Sequence, residues 1–271
     1  MSKTVLIAGK EFPFGGKLLN GLIFTNRNVC ITVPPLEEDS VNKNNINNIS
    51  NIGNIEENIN GKAVEWNKAS PVSCRNVILQ SERYYEHINE AVLYFDEDFY
   101  ASKAQRLDAE ECTRVCDELI LSYQYLALEV LSRFERKNNV QNPGKIVFVI
   151  KEGPCLADAL LAPAVRNGIN AIASPVIASA ASAFCSFAQN FAVQYGDLPF
   201  VSIILVRGDN NIPDAASDEL LGRWLGSYMD SVEKQKEKPG SKRAMQWIKP
   251  GTKGTGLSII QRLLMFISNK S

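Results

Sequence analysis

The stretch TVLIAGKEFPFGGKLLNGLIFTNRNVCITV, Thr4 to Val33, decides the fold. Its first residues, TVLIA (Thr4–Ala8), are a continuous apolar run of strand length. Gly9, Gly15 and Gly16 follow, then Lys17–Thr25, apolar-rich and helical in character. Asn28–Val33 (NVCITV) reads as a second strand, closed by Pro34 and Pro35. Strand, glycine turn, helix and strand within about thirty residues open a βαβ unit.

The same alternation continues outward from this stretch. Lys62–Trp66 reads as a short third strand and Ser73 to about Glu90 as a helix. Ala91–Phe95 (AVLYF) is a fourth strand, leaving through the acidic run Asp96, Glu97 and Asp98. Ala109–Lys137 is the longest helical pattern, with Leu119, Leu126, Val130, Leu131 and Phe134 among its apolar positions. Lys145–Ile150 (KIVFVI) and Phe200–Val206 (FVSIILV) are the fifth and sixth strands, separated by helical patterns at Leu156–Asn167 and Val176–Tyr195. Asp214–Gln235 is a helix with Leu220, Leu221, Trp224, Leu225 and Met229 turned inward, and Leu257–Ser268 is an apolar final helix. Strands flanked by helices, without hairpin turns, predict an α/β fold: a three-layer, Rossmann-type, doubly wound parallel sheet with helices on both faces. The chain reads as a single domain over 1–271, with an Asn-rich insertion at about 42–60 and a helical C-terminal extension at about 214–271. Asparagine competes for backbone hydrogen bonds, so the insertion is a poor helix former.

Composition sets the broad class. The 271 residues are 45% hydrophobic and 22% charged with net charge −1, which points to neither nucleic acid nor an anionic membrane as partner. The opening MSKTVLIAG lacks the pattern of a secretory leader, and no uninterrupted apolar run reaches the ~18 residues of a membrane span. The six cysteines and the single histidine, His87, form no zinc pattern, and a cytoplasmic location is expected. No metal site is read from the sequence.

The element order from about Lys3 to Gly208 resembles the short-chain dehydrogenase/reductase family. Its TGxxxGxG turn corresponds here to AGKEFPFG, with Ala8 for the threonine, Gly9 and Gly15 at the outer glycines, and Pro13 in place of the middle glycine. Such glycines let the backbone approach a pyrophosphate at a helix amino end, whereas proline removes an N–H and fixes φ. The resemblance therefore implies Gly9, Lys10, Phe14, Gly15 and Lys17 as the candidate NAD- or NADP-binding residues. Glu37, Glu38 and Asp39 lie just beyond the second strand, where the family contacts the adenosine ribose.

The family's catalytic residues are not matched. NNAG falls opposite Leu93–Asp96 (LYFD), the catalytic serine near Lys151 or Glu152, and the PG motif at Arg207-Gly208. The YxxxK pair falls on Ile177 and Ala181, neither of which supplies a proton or a positive charge. No catalytic residue is assigned. Lys151 and Arg207, at strand exits, are candidates for an anionic ligand. Asp96, Glu97 and Asp98 are expected to be a solvated acidic loop, and Ser179 and Ser182 small packing residues. Basic residues between Lys234 and Lys253 read as a solvated face. Two function classes follow: a dehydrogenase-like protein without standard carbonyl or alcohol chemistry that retains weak dinucleotide binding or none, and a non-catalytic scaffold or regulatory subunit. An active oxidoreductase with other catalytic residues is the remaining alternative. The resemblance also implies a homodimer or homotetramer built through Ala109–Lys137 and Val176–Tyr195.

Overall fold

A computed structural model describes residues 2–35, 61–104, 108–153, 174–234 and 246–252. In chain order its elements are β1 (Lys3–Gly9), α1 (Gly16–Phe24), β2 (Arg27–Val33), β3 (Gly61–Glu65), α2 (Pro71–Tyr85), β4 (Glu90–Asp96) and α3 (Glu97–Lys103). Then come α4 (Ala109–Val115), a π-helical turn (Cys116–Leu121), α5 (Ser122–Lys137), β5 (Gly144–Glu152), α6 (Pro175–Tyr195), β6 (Val201–Asp209), α7 (Asp218–Glu233) and β7 (Trp247–Ile248). The seven strands form one sheet in the order β3-β2-β1-β4-β5-β6-β7, and every pairing is parallel.

Alternation along the strands divides the core between two faces. Leu6, Ala8, Phe148 and Ile150 point to the side covered by α2, α4, α5 and α6, where Val77, Leu119, Leu126 and Phe184 meet them. Val5, Ile7, Val147 and Val149 point to the side covered by α1 and α7, against Leu18, Leu22, Leu225 and Met229. The three-layer parallel architecture read from the sequence is the one observed. Helix α6 is long and apolar enough to cross a membrane by length and composition; in this fold Ile177, Ala180, Phe184 and Ala188 are buried in the core on the α2–α6 side of the sheet.

Three sequence expectations are corrected. The helix over Ala109–Lys137 is interrupted by the π turn at Cys116–Leu121, which adds a residue to the local repeat and is invisible to an apolar count. Trp247–Ile248, expected within a solvated basic stretch, pairs with Leu205 and Val206 as an edge strand. Ser179 and Ser182 are exposed, their hydroxyls donating to the carbonyls of Pro175 and Ala178 one turn earlier, so they take no part in packing within the chain. The insertion at 42–60, the helix at Leu156–Asn167, the acidic residues 37–39 and the final helix lie outside the described residues.

Helices α1 and α7 meet at glycines. A Cβ on Gly21 would lie 2.3 Å from the Glu219 carbonyl oxygen, one on Gly222 2.5 Å from that of Leu18, and one on Gly226 2.2 Å from Thr25 Oγ1. Only hydrogen side chains allow this approach, and it carries the first turn of α7 to the carboxyl edge of the sheet.

Candidate functional site

The chain leaves β1 toward β2 and β3 on one side, then returns to place β4 on the other. The carboxyl ends of β1 and β4 therefore flank the topological switch point, where open α/β sheets hold ligands. Gly9 pairs with Tyr94 in register, and Asp96 with Lys151. Four charged side chains converge above these ends. Lys10 Nζ lies 2.6 Å from Asp96 Oδ2 and 2.7 Å from Asp218 Oδ2. Lys151 Nζ lies 3.2 Å from Asp218 Oδ1. The Tyr94 hydroxyl is 2.9 Å from Asp218 Oδ1 and 3.3 Å from Asp96 Oδ2, and its one proton goes to the nearer acceptor.

Asp96 and Asp218 are buried and occupy helix amino ends. Asp96 caps α3 by accepting from the Phe99 N–H at 3.1 Å, and Asp218 stands in the first turn of α7, where the helix dipole favours a carboxylate. The expected solvated acidic loop is thus corrected at Asp96, whose burial is made tolerable by Lys10. Burial alone pushes the Asp218 carboxyl up, but the hydrogen bond and charge of Lys10, with Lys151 and Tyr94, hold it below the ordinary value. Burial likewise pushes the Lys10 ammonium down, and Asp96 and Asp218 more than offset this. The Tyr94 phenol is pushed well up by burial and by the two carboxylates.

A third lysine closes the other side. Lys68, in the loop after β3, donates to the Gly9 carbonyl at 2.9 Å and lies 3.5 Å from Glu11. Its ammonium sits 5.5 Å from the ring centres of both Trp66 and Tyr100. Burial dominates both partners, lowering the Lys68 ammonium and raising the Glu11 carboxyl. Beneath them, Tyr123 donates to the Tyr94 carbonyl at 2.8 Å, and its oxygen lies 3.0 Å from that of Tyr100.

The residues expected from the sequence are placed as follows. Gly9 has φ +123°, and a Cβ there would lie 2.0 Å from the Tyr94 carbonyl oxygen and 2.4 Å from the Tyr123 hydroxyl. A Cβ on Gly15 would lie 2.2 Å from the Lys10 carbonyl oxygen. Phe14 is 55% exposed and rests on Phe99 at 5.1 Å, with the Lys103 ammonium over both rings. Lys17 projects to solvent from α1. Lys151 joins the cluster through Asp218, whereas Arg207 is half-exposed and pairs with Glu152. Ile177 and Ala181 are both buried. Sequence reading missed Tyr94, Lys68, Tyr123 and Asp218. The only local signal for Asp218 is the helix start, where Ser217 accepts from the Leu220 N–H.

Two other features lie at the opposite, amino end of the sheet. A cleft of about 450 Å³ is lined by residues including His87, Asn89, Phe134, Lys137 and Phe200. The carboxylates of Glu90, Asp230 and Glu233 converge within 4.8 Å, but they meet Arg27, Lys3 and Lys145, three cations against three anions.

No family model matches the chain. An uncharacterised protein of Treponema pallidum (strain Nichols) is 25% identical over 170 residues, 62% of this chain. This chain thereby spans just under two thirds, 66%, of that relative. Among solved structures, FabI from Alistipes finegoldii superposes with TM-score 0.58 at 15% identity, over 99% of this chain and 96% of that one. The NADH-dependent reductase A1-R′ complexed with NAD superposes with TM-score 0.58 at 12% identity, over 95% and 97%. A short-chain dehydrogenase/reductase from Serratia marcescens gives 0.50 at 13% identity, over 76% and 73%. On sheet order, layering and these superpositions, the chain has the Rossmann-type fold of the short-chain dehydrogenases/reductases.

Proposed function

We propose that this protein is a dehydrogenase-like subunit without carbonyl or alcohol redox chemistry, serving as a non-catalytic homo-oligomeric scaffold whose dinucleotide affinity is weak. The observation that carries the reading is the ion-paired cluster of Lys10, Asp96, Asp218 and Lys151 across the switch point. A pyrophosphate at the start of the first helix is held by free amides, and a nearby uncommitted cation strengthens the attraction. Here Lys10 already serves two carboxylates, and the Gly15 and Gly16 amides donate to the carbonyls of Glu11 and Pro13. The close approach that Gly9 and Gly15 permit is used by the chain's own backbone.

Ile177 and Ala181 add to this support, because neither donates a proton to a carbonyl oxygen. Fluorescence titration of the purified protein with NADH and NADPH tests the reading, alongside NADPH oxidation over a panel of ketones. Binding weaker than micromolar and no sustained oxidation are expected. Micromolar binding or steady turnover overturns the proposal.

A further inference from the structure

The arrangement of donors around Asp218 is that of a carboxylate receptor. Oδ2 receives Lys10, and Oδ1 receives both Tyr94 and Lys151, so each oxygen is separately bound. Lys151 and Tyr94 stand within β5 and β4, and Lys10 directly follows β1, so all three donors are placed by the carboxyl edge of the sheet. The carboxylate arrives from α7, a separate element seated through the Gly21–Gly222 contact. Lys151 and Tyr94 are both nine-tenths or more buried.

We infer that Lys10, Tyr94 and Lys151 form a receptor for a small carboxylate, whose resident ligand is the chain's own Asp218 side chain. The inference rests on the proposed reading of the crevice as internally closed. It also states the class of external ligand the crevice would select: a monoanionic planar carboxylate. With Asp218 removed, Lys10 keeps Asp96 at ion-pair distance while Lys151 loses its 3.2 Å carboxylate partner, with Asp98 farther from both ammoniums. That balance suits a monoanion and disfavours a doubly charged phosphate.

Asp218→Ala removes a carbon and two oxygens, the heavy atoms of formate. Thermal unfolding of the variant is followed in sodium formate and in sodium chloride at matched ionic strength. Formate is expected to raise the variant's Tm by several degrees while leaving the native chain unmoved. Asp218→Asn fills the same volume and is expected not to respond. Equal shifts by formate and chloride in Asp218→Ala, or an equal formate response in all three proteins, overturn the receptor. Should Asp218→Ala fail to fold without added anion, refolding from urea into formate but not chloride supports the receptor, and recovery in neither overturns it. Titration of the native chain with NADH separates the two claims. Tight NADH binding defeats the proposed function, whereas weak binding with no formate response defeats the receptor alone.

Discussion

Asp218 is the residue on which the crevice turns, since two lysines and a tyrosine converge on its carboxylate. Its folded carboxyl is held below the ordinary 3.8, so the stability it contributes is present above that value. That contribution is lost as pH falls through the lower folded value. Lys10 is the mirror case: its ammonium is raised above 10.5, so its contribution holds below that pH and is lost as pH rises through the folded value. The Tm gap between the native chain and Asp218→Asn is therefore expected to be steady across neutral pH and to close in acid below 3.8. A gap independent of pH from 7 down to about 3 would remove the carboxylate from the account. Gly9 is the other decisive position, because it combines φ +123° with the Tyr94 carbonyl at contact. Gly9→Ala is expected to cost roughly 3 kcal/mol in urea unfolding, from backbone strain and overpacking together. The glycine motif was legible in the sequence. That its space is taken by Tyr94 and Tyr123, residues more than eighty positions away, was not, because residue type reports that room is needed and not what fills it.

At the scale of elements, the contact between α1 and α7 is fixed by glycines on both helices. Gly222 and Gly226 stand four residues apart on one face of α7, opposite Gly21 of α1 and Thr25, which caps its carboxyl end. Gly222→Ala forces a methyl toward the Leu18 carbonyl and is expected to cost about 1–3 kcal/mol. A lower urea midpoint with unchanged slope is the expected result. The π turn before α5 is the second element-level feature: Tyr123 stands two residues beyond its end and reaches the Tyr94 carbonyl. The helical pattern over Ala109–Lys137 was readable from its apolar spacing, but one extra residue in a turn leaves the pattern on either side intact. For α6 the reading of an apolar, small-residue helix stands, while Ser179 and Ser182 face outward because the buried positions are taken by Ile177, Ala181 and Phe184.

Across the whole molecule, α7 is fastened at both ends of the sheet. Its 16 residues span about 24 Å, from Asp218 at the carboxyl edge to Asp230 and Glu233 at the amino edge. Acidic residues at a helix carboxyl end oppose its dipole, and Lys3, Arg27 and Lys145 offset them from the strand starts. Arg27 and Glu90 are fully buried within this network. Glu90→Gln, which leaves Arg27 short of a counter-charge, is expected to destabilise by about 3–5 kcal/mol in urea unfolding. The double variant Arg27→Met/Glu90→Leu is expected to recover a large part of that loss, and failure to recover would show the pair to be net stabilising. We also propose self-association through the helical stretch Ala109–Lys137 and α6; the outward Ala178, Ser179, Ser182 and Ser186 of α6 permit close approach of a second helix. Light scattering is expected to report a dimer or tetramer, and a monomer at all concentrations overturns this.

The sequence by itself determined the chain order of the first six strands and the parallel, three-layer arrangement of strands and helices. Those properties follow from local apolar runs and turn residues, each read within a few positions. Only the tertiary structure decided what occupies the crevice. Lys10 meets Asp218 across 208 positions of chain, and Lys68 meets the Gly9 carbonyl across 59. The first pairing depends on how closely α7 can approach α1, which Gly21 and Gly222 set by having no side chains, and the second on the path of the loop after β3. Periodicity carries the first kind of information because burial repeats along an element. It does not carry the second, because a charge finds its partner through the packing of elements and not through its neighbours in sequence.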